Sequence, residues 1–292
     1  MLQCRYEYQV KLAGGTIRYV PIRPPEGNPM ANGSDWTIDM AELEGTINER
    51  TKMIYLNNPH NPLGKVFSRA ELTAIGNLCV TYGLVLLSDE VYERIVFPPH
   101  SVSDTDAVHT RVASISPEIF AHTLTVVSLA KLFNATGWRV GFVIGPDVLM
   151  QPVIATHLVL AYSSSGPAQD ACAIGLREAE RLDWWSVNAR DYVMPGAAWF
   201  IFVSVDNISV PEEYNYPPLV AKHGTKDWKT CYFLVQEFGI ASIPGTCFYG
   251  EDNKALGARY LRFGACKSDE GLRLAAERLQ KLKPYILGER TF

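Results

Sequence analysis

The chain has 292 residues, with 27 lysines and arginines against 31 aspartates and glutamates and a net charge of −4. Without a long basic run, phosphate-backbone binding has no electrostatic support, so nucleic acid is not an expected partner. A hydrophobic fraction of 47% suits a globular chain of about two domains, and no window approaches roughly 18 uninterrupted apolar residues, so no membrane partner is expected. The six cysteines form no CxxC pair, and the start lacks a signal or transit-peptide pattern. A reducing compartment follows, the cytoplasm by expectation and the mitochondrion as the alternative.

In chain order, Gly14-Gly15 predicts a turn before an alternating strand over residues 16–22, and a proline-rich loop leads to a short helix over residues 39–50. Lys52-Met-Ile-Tyr-Leu-Asn57 is too apolar for a half-exposed strand and reads as a central parallel one. Asn57-Asn-Pro-His-Asn61-Pro-Leu-Gly64-Lys65 follows at its carboxyl end, where open α/β sheets bind ligands. No GxxxxGK[ST] run is present, so Lys65 is expected to be a surface lysine. Ser68-Arg-Ala-Glu71 is a capping box opening a helix in which Leu72, Ile75, Leu78, Cys79 and Tyr82 repeat with helical spacing.

A second buried strand, Gly83-Leu-Val-Leu-Leu-Ser-Asp89, delivers Asp89 at its end, with Tyr92 three positions on. A carboxylate there is costly unless paired; a protonated pyridine nitrogen would be a partner, and a turn or cap role is the plainer reading. A third strand, Thr123-Leu-Thr-Val-Val127, leads into Ser128, Lys131 and Arg139, and the strand of residues 139–145 returns. Alternating strands and helices predict a largely parallel sheet with helices on both faces. Residues 147–180 read as helical around a break at residues 162–167, and the texture changes after Trp184-Trp185. A smaller α+β domain is expected beyond, with a strand at residues 198–205, a helix at 227–238 closed by Gly239, a strand at 259–264 and a Ser268-capped helix. The boundary falls between residues 182 and 183.

These elements bring Asn61, Asp89 with Tyr92, and Lys131 with Arg139 to one sheet edge. An amine in apolar surroundings loses part of its preference for the charged form and can condense with a carbonyl; otherwise Lys131 belongs to an ordinary solvated loop. Ser128 and Arg139 would suit a phosphate, and a phosphorylated aldehyde that condenses with lysine suggests pyridoxal 5'-phosphate. Arg262, inside an apolar strand, calls for an anion, either a ligand's or a neighbouring side chain's. The histidines show no metal-ligand spacing and the serines no G-x-S-x-G elbow, which sets metal and triad-hydrolase chemistry aside.

Four blocks resemble the class I, fold-type I pyridoxal phosphate aminotransferases: N-x-P-x-N-P-x-G at residues 57–64, D-E-V-Y at 89–92, S-x-x-K-x-x-x-x-T-G-W-R-x-G at 128–141, and the strand of residues 260–264. Ala13-Gly-Gly15, Ile243-Pro-Gly245 and Phe248-Tyr249 look most like the kynurenine aminotransferase, glutamine transaminase K and cysteine-S-conjugate β-lyase branch. The resemblance implies an α/β fold-type I transferase that uses aromatic or sulfur-containing amino acids and a 2-oxo acid, working as a homodimer. It implies that Lys131 binds the cofactor as a Schiff base and moves a proton, that Asp89 holds the pyridine nitrogen, and that Asn61 and Tyr92 hold the 3′ oxygen. Ser128 and Arg139 would take the phosphate and Arg262 the substrate carboxylate, while Tyr162 would enter a partner's pocket.

Two departures from the family pattern stand out. The family's N-terminal arm, phosphate-gripping helix and ring-stacking aromatic have no counterpart, Leu2 and Gln3 lying nearest the aromatic position, and the connection at residues 171–194 is short. The alternative they raise is a shortened inactive form that binds cofactor weakly or pairs with a full-length subunit.

Overall fold

The computed structural model describes residues 4–28, 31–96, 109–182, 200–264 and 267–287. Trp184-Trp185, Leu2 and Gln3, and much of the short connection lie outside the described residues. The chain gathers into two compact units, residues 39–198 and residues 1–38 with 199–292.

Helix α1 (Cys4–Leu12) opens the chain, an element the sequence patterns did not suggest. The alternation of residues 16–22 yields an extended segment in which only its end, β1 (Ile22–Arg23), pairs, antiparallel to β2 (Thr37–Ile38). The N-terminal segment joins the second unit because Trp36, 3% exposed, meets the rings of Tyr260 and Phe202 edge-on at 5.4 and 6.4 Å. The expected two-part division grouped these residues with the parallel sheet.

The unit of residues 39–198 begins with Asp39, whose carboxylate accepts the Ala41 and Glu42 amides and caps α2 (Met40–Gly45). This helix ends well short of residue 50, as Thr46 bonds back to Leu43. Strands β3 (Met53–Asn57), β4 (Val85–Asp89) and β5 (Thr123–Val127) run parallel in the order β3-β4-β5, and β6 (Phe142–Ile144) closes the row antiparallel to β5. Helix α3 (Arg69–Tyr82) follows β3; its capping box is complete, Ser68 Oγ accepting the Glu71 amide at 3.2 Å and Glu71 Oε2 the Ser68 amide at 2.8 Å. Gly83 ends it in the left-handed region at φ +64°. Leu72, Ile75 and Cys79 are buried, and Gly76 allows Ile119 of α4 (Pro117–Ala121) to approach: a Cβ there would stand 2.7 Å from its Cδ1. After the short α5 (Leu129–Leu132), helices α6 (Asp147–Leu160) and α7 (Gly166–Arg181) flank the expected break.

In the other unit, β7 (Phe200–Ser204), β8 (Ile243–Pro244) and β9 (Tyr260–Gly264) form an antiparallel sheet of order β7-β9-β8. Helices α8 (Pro218–His223), α9 (Lys226–Phe238), α10 (Lys254–Gly257) and α11 (Asp269–Gln280) accompany it. Val205, Phe233, Leu234, Phe238, Ile240, Leu261 and Leu282 form its core. Among the described residues, no helix is long and apolar enough to cross a membrane.

Candidate active site

In-register pairing places Asn57 opposite Asp89 and Asp89 opposite Val126, so the ends of three parallel strands lie level, and neighbouring strands run about 4.8 Å apart. Asn61, Asp89, Tyr92, Ser128 and Lys131 lie at or just after those ends. Asp89, 5% exposed, accepts the Tyr55 hydroxyl at 2.6 Å through Oδ2. Its backbone carbonyl accepts Asn57 Nδ2 at 2.9 Å, and Asn57 Oδ1 accepts the Asn61 amide at 2.7 Å. The buried loop at residues 57–65 is thereby tied to β4, holding Asn61 beside the strand that ends in Asp89. Tyr92 is buried in the turn immediately after Asp89.

Ser128 leaves β5 as the first residue of the next turn, and Lys131, half-buried, lies within α5. Arg139 adopts the left-handed conformation at φ +57° and is exposed; its Nη1 donates to the Thr136 carbonyl at 3.3 Å. The return to β6 requires Gly141, since a Cβ there would stand 2.7 Å from the Val127 carbonyl oxygen. That close approach folds the segment of residues 128–140 back against the end of β5, keeping the Arg139 loop beside the turn that bears Ser128 and Lys131.

A brace of ionisable side chains supports the turn after Asp89. Glu90, fully buried, accepts Ser88 Oγ at 2.9 Å and the Val112 amide at 3.1 Å and meets His109 Nε2 at 2.8 Å. Glu93 accepts Arg111 Nε at 2.6 Å. Glu90, Glu93 and His109 bring potential metal-ligand atoms within 4.8 Å of one another, a grouping the linear spacing of the histidines gave no sign of. Arg111 and the Ser88 and Val112 donors already engage the two carboxylates, and a guanidinium repels a cation, so the cluster reads as a structural brace.

Lys65 differs from expectation. It is 2% exposed and its ammonium lies 3.0 Å from Glu71 Oε1 and 5.1 Å from the Phe67 ring centre. The loop turns inward, His60 donating its amide to the Lys65 carbonyl at 2.8 Å, so the lysine is an internal partner of the capping-box glutamate rather than a surface group. Sequence reasoning also passed over Tyr55. Its position two residues before Asn57 on a buried strand puts both on one face, the available signal for a phenol directed at Asp89.

Arg262 belongs to the other unit, on β9. Its guanidinium carbon lies 4.1 Å from the Phe200 ring centre and 4.9 Å from that of Phe248, a cation–π setting on two rings. Tyr162 stands at the α6–α7 break, 80% exposed with φ +59°.

An open, mostly parallel sheet with an amine, a buried carboxylate, a hydroxyl and a guanidinium after the ends of adjacent strands defines a site of the kind that holds a phosphorylated aldehyde. The family profile for class I and II aminotransferases matches residues 5–279. The chain belongs to that family, whose cofactor is pyridoxal 5'-phosphate, and an amine, a buried carboxylate, a hydroxyl and a guanidinium make a donor set that suits such a group. The chain is 37% identical to the protein named probable kynurenine–oxoglutarate transaminase BNA3 of Saccharomyces cerevisiae, covering 97% of this chain and 66% of that one. It is 31% identical to the kynurenine–oxoglutarate transaminase of Dictyostelium discoideum, over 94% and 68%. The crystal structure of Bna3p from Saccharomyces cerevisiae superposes with a TM-score of 0.89 at 35% identity, over 97% of this chain and 69% of that one. The chain spans about two thirds of the length of the curated relatives it matches.

Proposed function

We propose that the protein is an aminotransferase that moves the amino group of an aromatic or sulfur-containing amino acid, such as a kynurenine-like donor, glutamine or a cysteine conjugate, to a 2-oxo acid. The observation that carries this reading is the level placement of Asp89 and the Ser128–Lys131 turn at the carboxyl ends of paired parallel strands. The transaminase names of the relatives support it over the inactive-form alternative.

Pyridoxal phosphate, when bound, supplies an electron-withdrawing ring that accepts the electron pair left at the substrate Cα as its proton departs. Lys131 would hold the cofactor through its amine, and that amine would also be the group that moves the substrate's Cα proton. Asp89 keeps a proton on the pyridine nitrogen, its orientation fixed by Tyr55. Asn61 and Tyr92 orient the 3′ oxygen, and Ser128 and Arg139 bind the phosphate. Arg262 binds the substrate α-carboxylate with two parallel hydrogen bonds, a task for which its planar fork is suited.

A homodimer is part of the proposal. Val148, Ile154, Leu158, Val159 and Leu160 leave α6 more than half exposed, an apolar surface that a second copy would cover, and the exposed Tyr162 ring would reach the neighbouring copy's site. Among the described residues, Cys79, Cys172 and Cys231 are free thiols, which suits a reducing compartment such as the cytoplasm. Turnover of kynurenine or phenylalanine with a 2-oxo acid tests the reading. Lys131→Ala is expected to reduce it by about 10²–10⁴-fold, the range for loss of a general acid–base group; unchanged turnover would overturn the assignment.

A further inference from the structure

We propose that Asp227 is a positioning residue for Arg262, acting through Thr246 and Phe248; this rests on the reading of Arg262 as the group that binds the substrate carboxylate. Asp227 is completely buried in the first turn of the thirteen-residue helix α9. One of its oxygens, Oδ2, accepts both the Thr246 amide at 2.9 Å and the Thr246 hydroxyl at 2.7 Å. That hydroxyl accepts in turn the Trp228 indole N–H at 3.1 Å, so Thr246 is held by its backbone and by both hydrogen-bonding functions of its side chain. Burying a carboxylate is costly, and a buried ionic group is weak evidence of stabilisation, since apolar replacement is often neutral. What Asp227 achieves is the exact placement of one loop.

That loop runs beside the strand bearing Arg262. Ile243 pairs with Arg262 and Pro244 with Leu261 across β8 and β9, after which the chain turns tightly through Gly245–Phe248. Gly245 lies against the neighbouring backbone: a Cβ there would stand 2.3 Å from the Gly257 carbonyl oxygen and 2.6 Å from that of Tyr260. Strand pairing anchors one end of the turn and Asp227 its middle, so Phe248, two residues beyond Thr246, is delivered to the Arg262 guanidinium. With Phe200 also against it, the guanidinium is held between protein rings and its rotamers are restricted before any ligand arrives. A fork fixed in this way meets a carboxylate with little ordering left to be done, and Asp227 sets how well it is fixed.

The test uses cofactor-loaded protein and two probes, L-phenylalanine and 2-phenylethylamine, which differ by the carboxylate, with binding read from the cofactor absorbance. Arg262→Ala serves as the reference. Thr246→Val, which keeps the side-chain shape but removes the hydroxyl, is expected to weaken phenylalanine binding about tenfold, within the range for small misplacements of a binding group, and to leave phenylethylamine binding unchanged. Thr246→Ser restores the hydroxyl and is expected to restore phenylalanine binding. In cofactor-free protein, Asp227→Ala is expected to accelerate amide hydrogen exchange in residues 243–249 about tenfold while the buried face of α9 remains protected. If Arg262→Ala discriminates between the probes and Thr246→Val does not, the positioning role is wrong while the carboxylate reading stands. If Arg262→Ala itself affects both probes equally, the carboxylate reading fails and this proposal with it.

Discussion

The carboxyl edge of the parallel sheet and the strand bearing Arg262 each hold an ionisable side chain in place, and they do so with different kinds of support. Asp89 is supported from inside the parallel layer: Tyr55 and Asn57 come from the adjacent strand, already in register, and the brace of Glu90, His109 and Arg111 lies just behind the same turn. Arg262 is supported by Phe200 on the paired strand and by Phe248 on a loop fixed by Asp227 from a separate helix. Damage at the sheet edge therefore removes a chemical group, whereas damage around Arg262 leaves the group in place and loosens it.

Variants can separate the two modes. The largest effect is expected at Asp89: Asp89→Asn should lower turnover by about 10²–10³-fold, comparable to loss of one preorganised electrostatic contact. Steady-state kinetics with the protein's melting temperature as a control would check it, and a loss matched by a fall in stability would erase the distinction between removing chemistry and loosening structure. Next comes Leu261→Ala. This side chain is fully buried on β9 beside Arg262, and its truncation should destabilise the protein by about 2–5 kcal/mol in denaturant unfolding, with weaker substrate binding. An unchanged unfolding midpoint would show that the β9 core does not hold the Arg262 strand as described.

The smallest effect is expected at a surface pair, where Asp206 accepts both Nε and Nη2 of Arg259. Arg259 holds the Asp206 carboxyl below its ordinary value of 3.8. A group whose folded pKa is depressed stabilises the fold above its unfolded value, and that contribution is lost as pH falls through the folded value. Arg259→Ala should therefore cost about 0.5 kcal/mol at neutral pH, in the usual range for an exposed pair, and progressively less below pH 3.8. A cost that persists undiminished in acid would point to lost packing instead.

The parallel layer was largely legible from the sequence because its functional groups directly follow strands whose apolar runs and flanking turns are strong local signals. Asp89, Ser128 and Lys131 lie where those patterns placed them, and the Ser68–Glu71 capping box formed as its spacing requires. Less legible were features fixed by side-chain contacts rather than by the pattern of one element. Lys65 turned inward because Glu71 is available to it, a pairing that neither residue's local context announces. The segment of residues 16–22 kept its extended form but found a partner strand only at its end, and its grouping with the C-terminal unit depends on Trp36 meeting Tyr260. The link from Asp227 to Thr246 was equally hidden, since an aspartate near a helix start reads first as ordinary helix-terminus chemistry.

The most direct test of the account is to mix the purified protein with pyridoxal phosphate, reduce it with borohydride and locate the product by peptide mass spectrometry. One reduced cofactor per chain is expected on the peptide containing Lys131, and none in Lys131→Ala. A folded protein that carries no adduct, or carries it on another lysine, would contradict it.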